Sequence, residues 1–182
     1  KDRMLRITEL LGGREGFVLA SLGAGGGSEV LQALVEGAGE IHAIEVNPAI
    51  NRMMATGELA SFSGRIYTDP RVRVVSEDGR AYLRRFRGHF DVIVSSSSNS
   101  FAALASGAFA LSENYLFTTE AFTDYLRALA PGGFLIMEHQ FYIPRAVSEA
   151  LDALRAGGAA HPEEHLAVYE LPKRRRMVLL LS

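Results

Sequence analysis

Residues 17–27 read FVLASLGAGGG, and this stretch decides the fold. Its first six residues are mostly apolar and have glycine on both sides, which is typical of a strand buried on both faces. The glycine-rich run that follows predicts a tight turn. Residues 28–36 (SEVLQALVE) have the spacing of an amphipathic helix, and residues 41–46 (IHAIEV) are a second apolar strand. A strand, a turn, a helix and another strand form the opening unit of a parallel sheet.

The same alternation continues along the chain. Further strands are predicted at residues 72–75, 90–94 and 134–137, and helices at 3–11, from the Asn47-Pro48 start through 53, at 81–86, 119–130 and 145–155. Residues 165–171 and 177–181 are strand candidates joined by a short basic turn, so they should form an antiparallel hairpin. The sequence therefore predicts an α/β fold with a Rossmann-like, class I methyltransferase sheet that is mostly parallel and ends in this hairpin.

Composition limits the possible classes of protein. A chain of 182 residues with 48% hydrophobic and 22% charged residues suits one soluble domain spanning residues 1–182. The net charge of −2 gives no reason to expect nucleic acid or anionic membrane as a partner, and the absence of cysteine excludes disulfides and thiolate metal sites. Because the chain starts at Lys1 with neither an initiator methionine nor a signal peptide, we interpret it as part of a longer protein, with a cytoplasmic location as the default.

The glycine run and the end of the second strand predict a nucleotide site. Gly23, Ala24, Gly25 and Gly27 would let a ligand approach the backbone beside a helix N-terminus, with a simple tight turn as the competing explanation. Glu45, twenty positions after Gly25 and followed by Val46, would accept hydrogen bonds from both ribose hydroxyls. A dinucleotide-binding fold would show the same features.

The third strand separates these alternatives. The G-x-G-x-x-G pattern of dinucleotide folds fails at Ser28, whereas Asp78 and Gly79 follow strand three, where a carboxylate can accept the adenine amino proton. This arrangement favours an adenosylmethionine-type nucleotide over NAD. A helix N-cap is the competing explanation of Asp78. Ser95, at the start of a predicted cleft loop over residues 95–114, completes the expected cofactor site.

Six blocks of the sequence resemble successive blocks of the spermidine synthase family. They are residues 19–27, 43–48, 69–74, 77–83, 90–94 and 129–133, and the resemblance extends over about residues 4 to 140. It implies decarboxylated S-adenosylmethionine or S-adenosylmethionine as cofactor, ribose binding by Glu45, adenine binding by Asp78 with Gly79, and a small-molecule acceptor such as a polyamine. It also implies a small β-rich domain upstream of the helix at 3–11. We expect that upstream region, or a partner subunit in a homodimer, to cover apolar surface of this helix.

The chain departs from the family at three positions. Gly26 stands where the family has an aspartate that holds the donor amine, and Ser96 and Asn99 stand where it has the two carboxylates that bind and deprotonate the attacking amine. A serine without an activating partner is a poor base near neutral pH, and asparagine cannot take a proton. Standard putrescine chemistry is therefore not expected. The catalytic candidates are Ser96, Asn99, Glu113 and Tyr115, although capping and loop packing explain the last two as well.

Two other motifs are rejected. The string from His161 to His165 (HPEEH) matches a zinc-metallopeptidase pattern, but Pro162 and the preceding glycines predict a loop rather than a helix. The serine run at residues 95–98 lacks the glycines of a nucleophile elbow. Neither a metal site nor a hydrolase triad is predicted.

Two hypotheses of function remain. The first is a transferase that moves an aminopropyl group if its donor is decarboxylated, or a methyl group if the donor is intact. The second is a binding or regulatory module that has kept the nucleotide fold and lost its chemistry. Loss of both family carboxylates, at Ser96 and Asn99, is what such a module would show.

Overall fold

The computed structural model describes residues 6–95, 114–139, 143–171 and 176–182. It contains a seven-stranded sheet with the order β3-β2-β1-β4-β5-β7-β6. The strands β1 to β5 run parallel, and β7 pairs antiparallel with both β5 and β6. Their bounds are Val18–Leu22, Glu40–Ile44, Val72–Val75, Phe90–Ser95, Leu129–His139, Leu166–Leu171 and Arg176–Leu181. The predicted α/β fold, including its C-terminal hairpin, is confirmed.

Helices cover both faces of this sheet. The α-helices α1 to α7 are Ile7–Leu10, Ser28–Val35, Pro48–Ala55, Glu58–Phe62, Gly79–Leu83, Thr119–Ala128 and Ile143–Ala156, and short 3-10 turns lie at Ile66–Thr68, Asn114–Leu116 and Pro162–His165. Asn47 begins α3 as its pattern predicts, since its Oδ1 accepts a hydrogen bond from the Ala49 N–H at 3.0 Å. Within the described residues, none of these helices combines the length and hydrophobicity that crossing a bilayer requires.

The core lies in two layers, one on each face of the sheet. Leu19 of β1 and Ile41 of β2 pack with α1, α2 and α3, while their neighbours Ala20 and His42 face the layer under α5, α6 and α7. Successive side chains of a strand point to opposite faces, so a strand covered on both sides needs a continuous apolar run. This is the reason for the FVLASL composition with which the fold begins.

The boundary between α6 and β5 differs from the prediction. The helix ends at Ala128 instead of 130, and the strand begins at Leu129 instead of 134. Phe90 of β4 pairs with Leu129 and Val92 pairs with Phe134, so the strand pairing continues through a shift in register around the glycines. A Cβ at Gly133 would lie 2.9 to 3.0 Å from three carbonyl oxygens. Glycine therefore marks close backbone approach inside a strand, and not only the predicted turn.

Smaller corrections follow from local contacts. The second strand ends at Ile44, so Glu45 and Val46 follow it, and α5 begins at Gly79 instead of 81 because Asp78 caps it. Ser95 belongs to β4 and not to the predicted cleft loop. The helix α4 and the 3-10 turn at Ile66–Thr68 were not predicted at all. The remaining differences between predicted and observed boundaries amount to a few residues each where the structure describes them.

A charged turn leads the chain into β3. The Arg71 side chain donates to both carboxylate oxygens of Asp69 at 2.9 Å, and its backbone N–H donates to Oδ1 at the same distance. These hydrogen bonds from Arg71 lower the pKa of Asp69 to about 2. The turn is thus closed by its own side chains, which fixes where β3 enters the sheet.

Candidate nucleotide-binding site

The predicted nucleotide residues meet at one edge of the sheet. The glycine turn follows β1, Glu45 follows β2 and Asp78 follows β3, and these three strands are neighbours and parallel. Their carboxyl ends therefore lie side by side. The chain order reverses between β1 and β4, and a crevice at such a switch point is the usual ligand site of open α/β sheets.

The glycine turn has a conformation that side chains disfavour. Gly23, Gly25 and Gly27 have φ of 73°, 46° and 80°, in the left-handed region that glycine adopts most readily. The N–H groups of Gly23 and Ala24 both donate to the Ile44 carbonyl, at 2.9 and 3.0 Å, which ties the turn to the end of β2. Gly26 differs from the others, since a Cβ built on it would have no atom within 4 Å among those described. The turn is therefore held firmly and still has room for a side chain at Gly26.

Glu45 is a nearly buried carboxylate beside this turn. Its residue surface is only 8% exposed, and its Oε1 accepts a hydrogen bond from the Asn47 N–H at 2.9 Å. That bond fixes the side chain at the start of α3. Val46, by contrast, is 69% exposed and offers an apolar surface next to the carboxylate.

Asp78 and Gly79 lie where the sequence analysis expects them, at the end of β3. The helix-cap interpretation of Asp78 is correct, because its Oδ1 accepts from the Ala81 N–H at 2.8 Å. The cap uses only Oδ1 of this exposed side chain, which leaves Oδ2 for another donor. The adenine-binding role of Asp78 therefore stays a prediction. At Gly79 a Cβ would lie 3.1 Å from Leu22 Cδ2, so the backbone there packs closely on β1.

Tyr67 is a site residue that the sequence analysis missed. It is buried, and its hydroxyl donates to the Gly25 carbonyl at 2.9 Å. A Cβ at Gly27 would lie 2.6 Å from Ile66 Cδ1 and 3.0 Å from Tyr67 Cε1, so the turn closes directly on this side chain. Burial, with the charges of Glu45 and Glu29, raises the pKa of Tyr67, so its hydroxyl keeps its proton. Ile66 and Tyr67 lie in a stretch that has neither helical nor strand periodicity, so the sequence pattern did not indicate this contact.

Replacing Tyr67 with Phe should destabilise the protein by about 0.5 to 1.5 kcal/mol, because the Gly25 carbonyl then loses its donor. Denaturant unfolding measures this change. Tyr169→Phe is the matched control, since Tyr169 is half exposed on β6. Equal stabilities for the two variants would show that the Tyr67 hydroxyl does not hold the turn.

Comparison with known families decides the relationship. The family model of the spermine/spermidine synthase domain matches residues 24–172. The chain belongs to this family. Comparison with curated proteins gives no significant match.

Solved structures agree with the family in fold. A spermidine synthase in complex with the transition state analogue AdoDATO is 21% identical, with a TM-score of 0.66, and the match covers 97% of this chain and 56% of that one. A probable spermidine synthase from Corynebacterium glutamicum is 21% identical, with a TM-score of 0.68 and coverage of 97% and 62%. Human methyltransferase-like protein 13 in complex with SAH is 19% identical, with a TM-score of 0.66 and coverage of 98% and 76%. The chain thus spans little more than half the length of the spermidine synthases it matches.

The residues predicted to face an acceptor are described only in part. Ser96, Asn99 and Glu113 lie outside the described residues, while Ser95 ends β4 and is buried. Tyr115 is 40% exposed, and the Arg80 guanidinium lies 4.5 Å from the centre of its ring. Arg80 also donates to the Tyr115 carbonyl at 3.3 Å and to Asp124 Oδ2 at 2.7 Å. These contacts give Tyr115 a packing role, and an acceptor role stays a prediction.

The two histidines of the HPEEH string have different neighbours. His165 Nδ1 lies 3.0 Å from the Ser182 carbonyl, and His161 Nδ1 lies 3.7 Å from Glu163 Oε1. The segment between them is a 3-10 turn. The loop predicted before β6 is thus observed as a short 3-10 turn, and the absence of zinc binding there stays a prediction.

Proposed function

We propose that this domain binds S-adenosylmethionine or decarboxylated S-adenosylmethionine and transfers a methyl or aminopropyl group to a small amine-type acceptor. One observation carries the proposal: the Glu45 carboxylate and the Asp78 carboxylate follow adjacent parallel strands, on the same sheet edge as the glycine turn. An adenosine needs acceptors for its ribose hydroxyls and its adenine amino group, and these two side chains provide them.

The residues fit this group in physical terms. Glu45 is almost fully buried, so its hydrogen bonds to ribose would form where water competes little. The left-handed glycines leave the backbone beside α2 open to a ligand, and Gly79 keeps the strand end next to Asp78 free of a side chain. The matched spermidine synthase carries AdoDATO and the matched human protein carries SAH, which supports a ligand of this class.

When bound, the cofactor would supply a carbon that its sulfonium makes electrophilic. The chain's own part would be to hold the nucleoside through Glu45 and Asp78 and to leave the acceptor side to the segment after β4. Gly26 provides no carboxylate for a donor amine, which favours the intact donor. Membership of the spermine/spermidine synthase family favours the decarboxylated one.

The competing proposal is a binding or regulatory module, and the sequence at Ser96 and Asn99 is the observation in its favour. Turnover separates the two proposals. The purified protein should be incubated with each radiolabelled donor and a panel of amines, and its binding of both donors and of methylthioadenosine should be measured by calorimetry. Binding with turnover supports the transferase, binding without turnover supports the module, and no binding of any of these compounds contradicts both.

Replacing Glu45 with Ala should weaken donor binding by about 1.5 to 3 kcal/mol, which is about 10- to 150-fold in Kd, because charge-assisted hydrogen bonds are lost. Calorimetry of the folded variant checks this result. Glu45→Gln keeps an acceptor for the Asn47 N–H and removes only the charge, while Glu164→Ala, at an exposed glutamate, is the control. A Kd of Glu45→Ala within twofold of the unchanged protein would remove the proposed ribose contact.

A further inference from the structure

Two histidines and a glutamate lie together at the edge of the sheet opposite the nucleotide site. Glu40 is the first residue of β2, His42 follows two positions later, and His89 directly precedes β4. These are the amino ends of β2 and β4, whereas Glu45 and the glycine turn follow the carboxyl ends of β2 and β1. The group is therefore separate from the proposed cofactor site.

The side chains converge closely enough to share an ion. One potential ligand atom from each of Glu40, His42 and His89 lies within 4.8 Å of the other two, and His42 Nε2 lies 2.7 Å from Glu40 Oε1. His42 is fully buried, whereas the Glu40 side chain is 46% exposed. The group is thus anchored in the core and open to solvent on one side.

His89 provides an independent observation. Its Nε2 is buried and has no hydrogen-bond partner among the described residues. A buried polar atom without a partner is uncommon and costs free energy, so it calls for an explanation. A neutral imidazole nitrogen with a free lone pair is also the usual metal-binding form of histidine.

The surroundings orient His42 as a ligand. Its Nδ1 lies 3.0 Å from the Tyr82 hydroxyl, and the rings of Phe86 and Phe90 lie 5.7 and 5.0 Å from its own ring. A metal-binding histidine almost always uses its second ring nitrogen in such a hydrogen bond, which fixes both the tautomer and the ring plane. Arg73 is paired with His42 on β3 and adds a positive charge, and Glu40 supplies the negative charge that opposes it.

We propose that Glu40, His42 and His89 bind a divalent transition-metal ion, Zn²⁺ in the first instance, with water completing the coordination. Two imidazoles and one carboxylate suit Zn²⁺ and other divalent transition-metal ions, whereas Mg²⁺ and Ca²⁺ prefer oxygen ligands alone. The ion would link the start of β2 to the start of β4, which are separated in the sheet by β1. Its expected role is structural, since the donor site lies at the other edge.

The test is a titration of the chelator-treated, tag-free protein with Zn²⁺ by calorimetry and with Co²⁺ by visible absorption. We expect one Zn²⁺ per chain and the absorption bands of nitrogen-coordinated Co²⁺. Tyr82→Phe should weaken Zn²⁺ binding about 10- to 100-fold, as loss of a hydrogen bond to a metal ligand does. His89→Ala and Glu40→Gln remove ligands and should weaken it further.

The control is the double variant His161→Ala with His165→Ala, which removes two exposed histidines outside the proposed site and should bind Zn²⁺ unchanged. His42 is fully buried and its replacement endangers folding, so the test rests on Glu40 and His89, confirmed as folded by circular dichroism. The proposal would be overturned if the unchanged protein did not bind Zn²⁺, or if the Glu40 and His89 variants bound Zn²⁺ as tightly as the unchanged protein. Loss of binding in the control variant would overturn it as well.

Discussion

Putrescine should be a poor acceptor for this protein, with a rate about 10² to 10⁴ below that of a spermidine synthase that has both carboxylates. A positioned general base usually contributes a factor of this size to the rate. The family resemblance implies that Ser96 and Asn99 stand in place of the two carboxylates, and neither would take the proton that the substrate ammonium must lose before its amine attacks. Gly26 should add to the effect, because the resemblance implies an aspartate at this position that would hold the donor amine.

Spermidine formation from decarboxylated S-adenosylmethionine and putrescine measures this rate, with an authentic spermidine synthase assayed alongside. The double variant Ser96→Asp with Asn99→Asp should gain activity, and adding Gly26→Asp should increase it again. The third change is sterically permitted, since a Cβ at Gly26 would meet no described atom within 4 Å. Spermidine produced by the unchanged protein as fast as by the authentic enzyme would contradict the expectation.

Replacing Tyr125 with Ala should cost about 3 to 5 kcal/mol of the free energy of unfolding, the range found when a buried aromatic ring is removed. Tyr125 is fully buried on the inner face of α6, and its ring lies 5.8 Å from that of Phe122. Its hydroxyl donates to the Leu116 carbonyl at 3.1 Å. The variant therefore loses packing against the sheet together with the bond that holds the 3-10 turn at Asn114–Leu116.

The companion variant Tyr125→Phe separates the two contributions. It keeps the ring and removes only the hydroxyl, so it should cost about 0.5 to 1.5 kcal/mol. Urea unfolding of the three proteins gives both values. If the Ala and Phe variants were equally stable, the ring would contribute nothing to the core and the assignment of the α6 inner face would be wrong.

Local pattern was sufficient for the elements that define the class of fold. The apolar run of β1 and its glycine turn follow from chemistry that operates within a few residues, and Glu45 was predicted from its spacing of twenty positions after Gly25. Capping is equally local, and Asn47 behaves as its type predicts. The strand through Leu129 and Gly133 was placed wrongly, because its start depends on pairing with β4, which no local pattern reports.

The sequence by itself determined the α/β class, the family blocks and the expected nucleotide residues, because apolar periodicity and glycine or capping residues act over a few positions. Tertiary structure alone decided which distant side chains meet. Tyr67 reaches Gly25 from 42 residues away, and Tyr82 lies beside His42 from 40 residues away. Such contacts depend on the order and register of the strands. Local sequence patterns report neither the order nor the register of the strands. The contact of Tyr67 with the glycine turn and the convergence of the two histidines with Glu40 are therefore visible only in the folded chain.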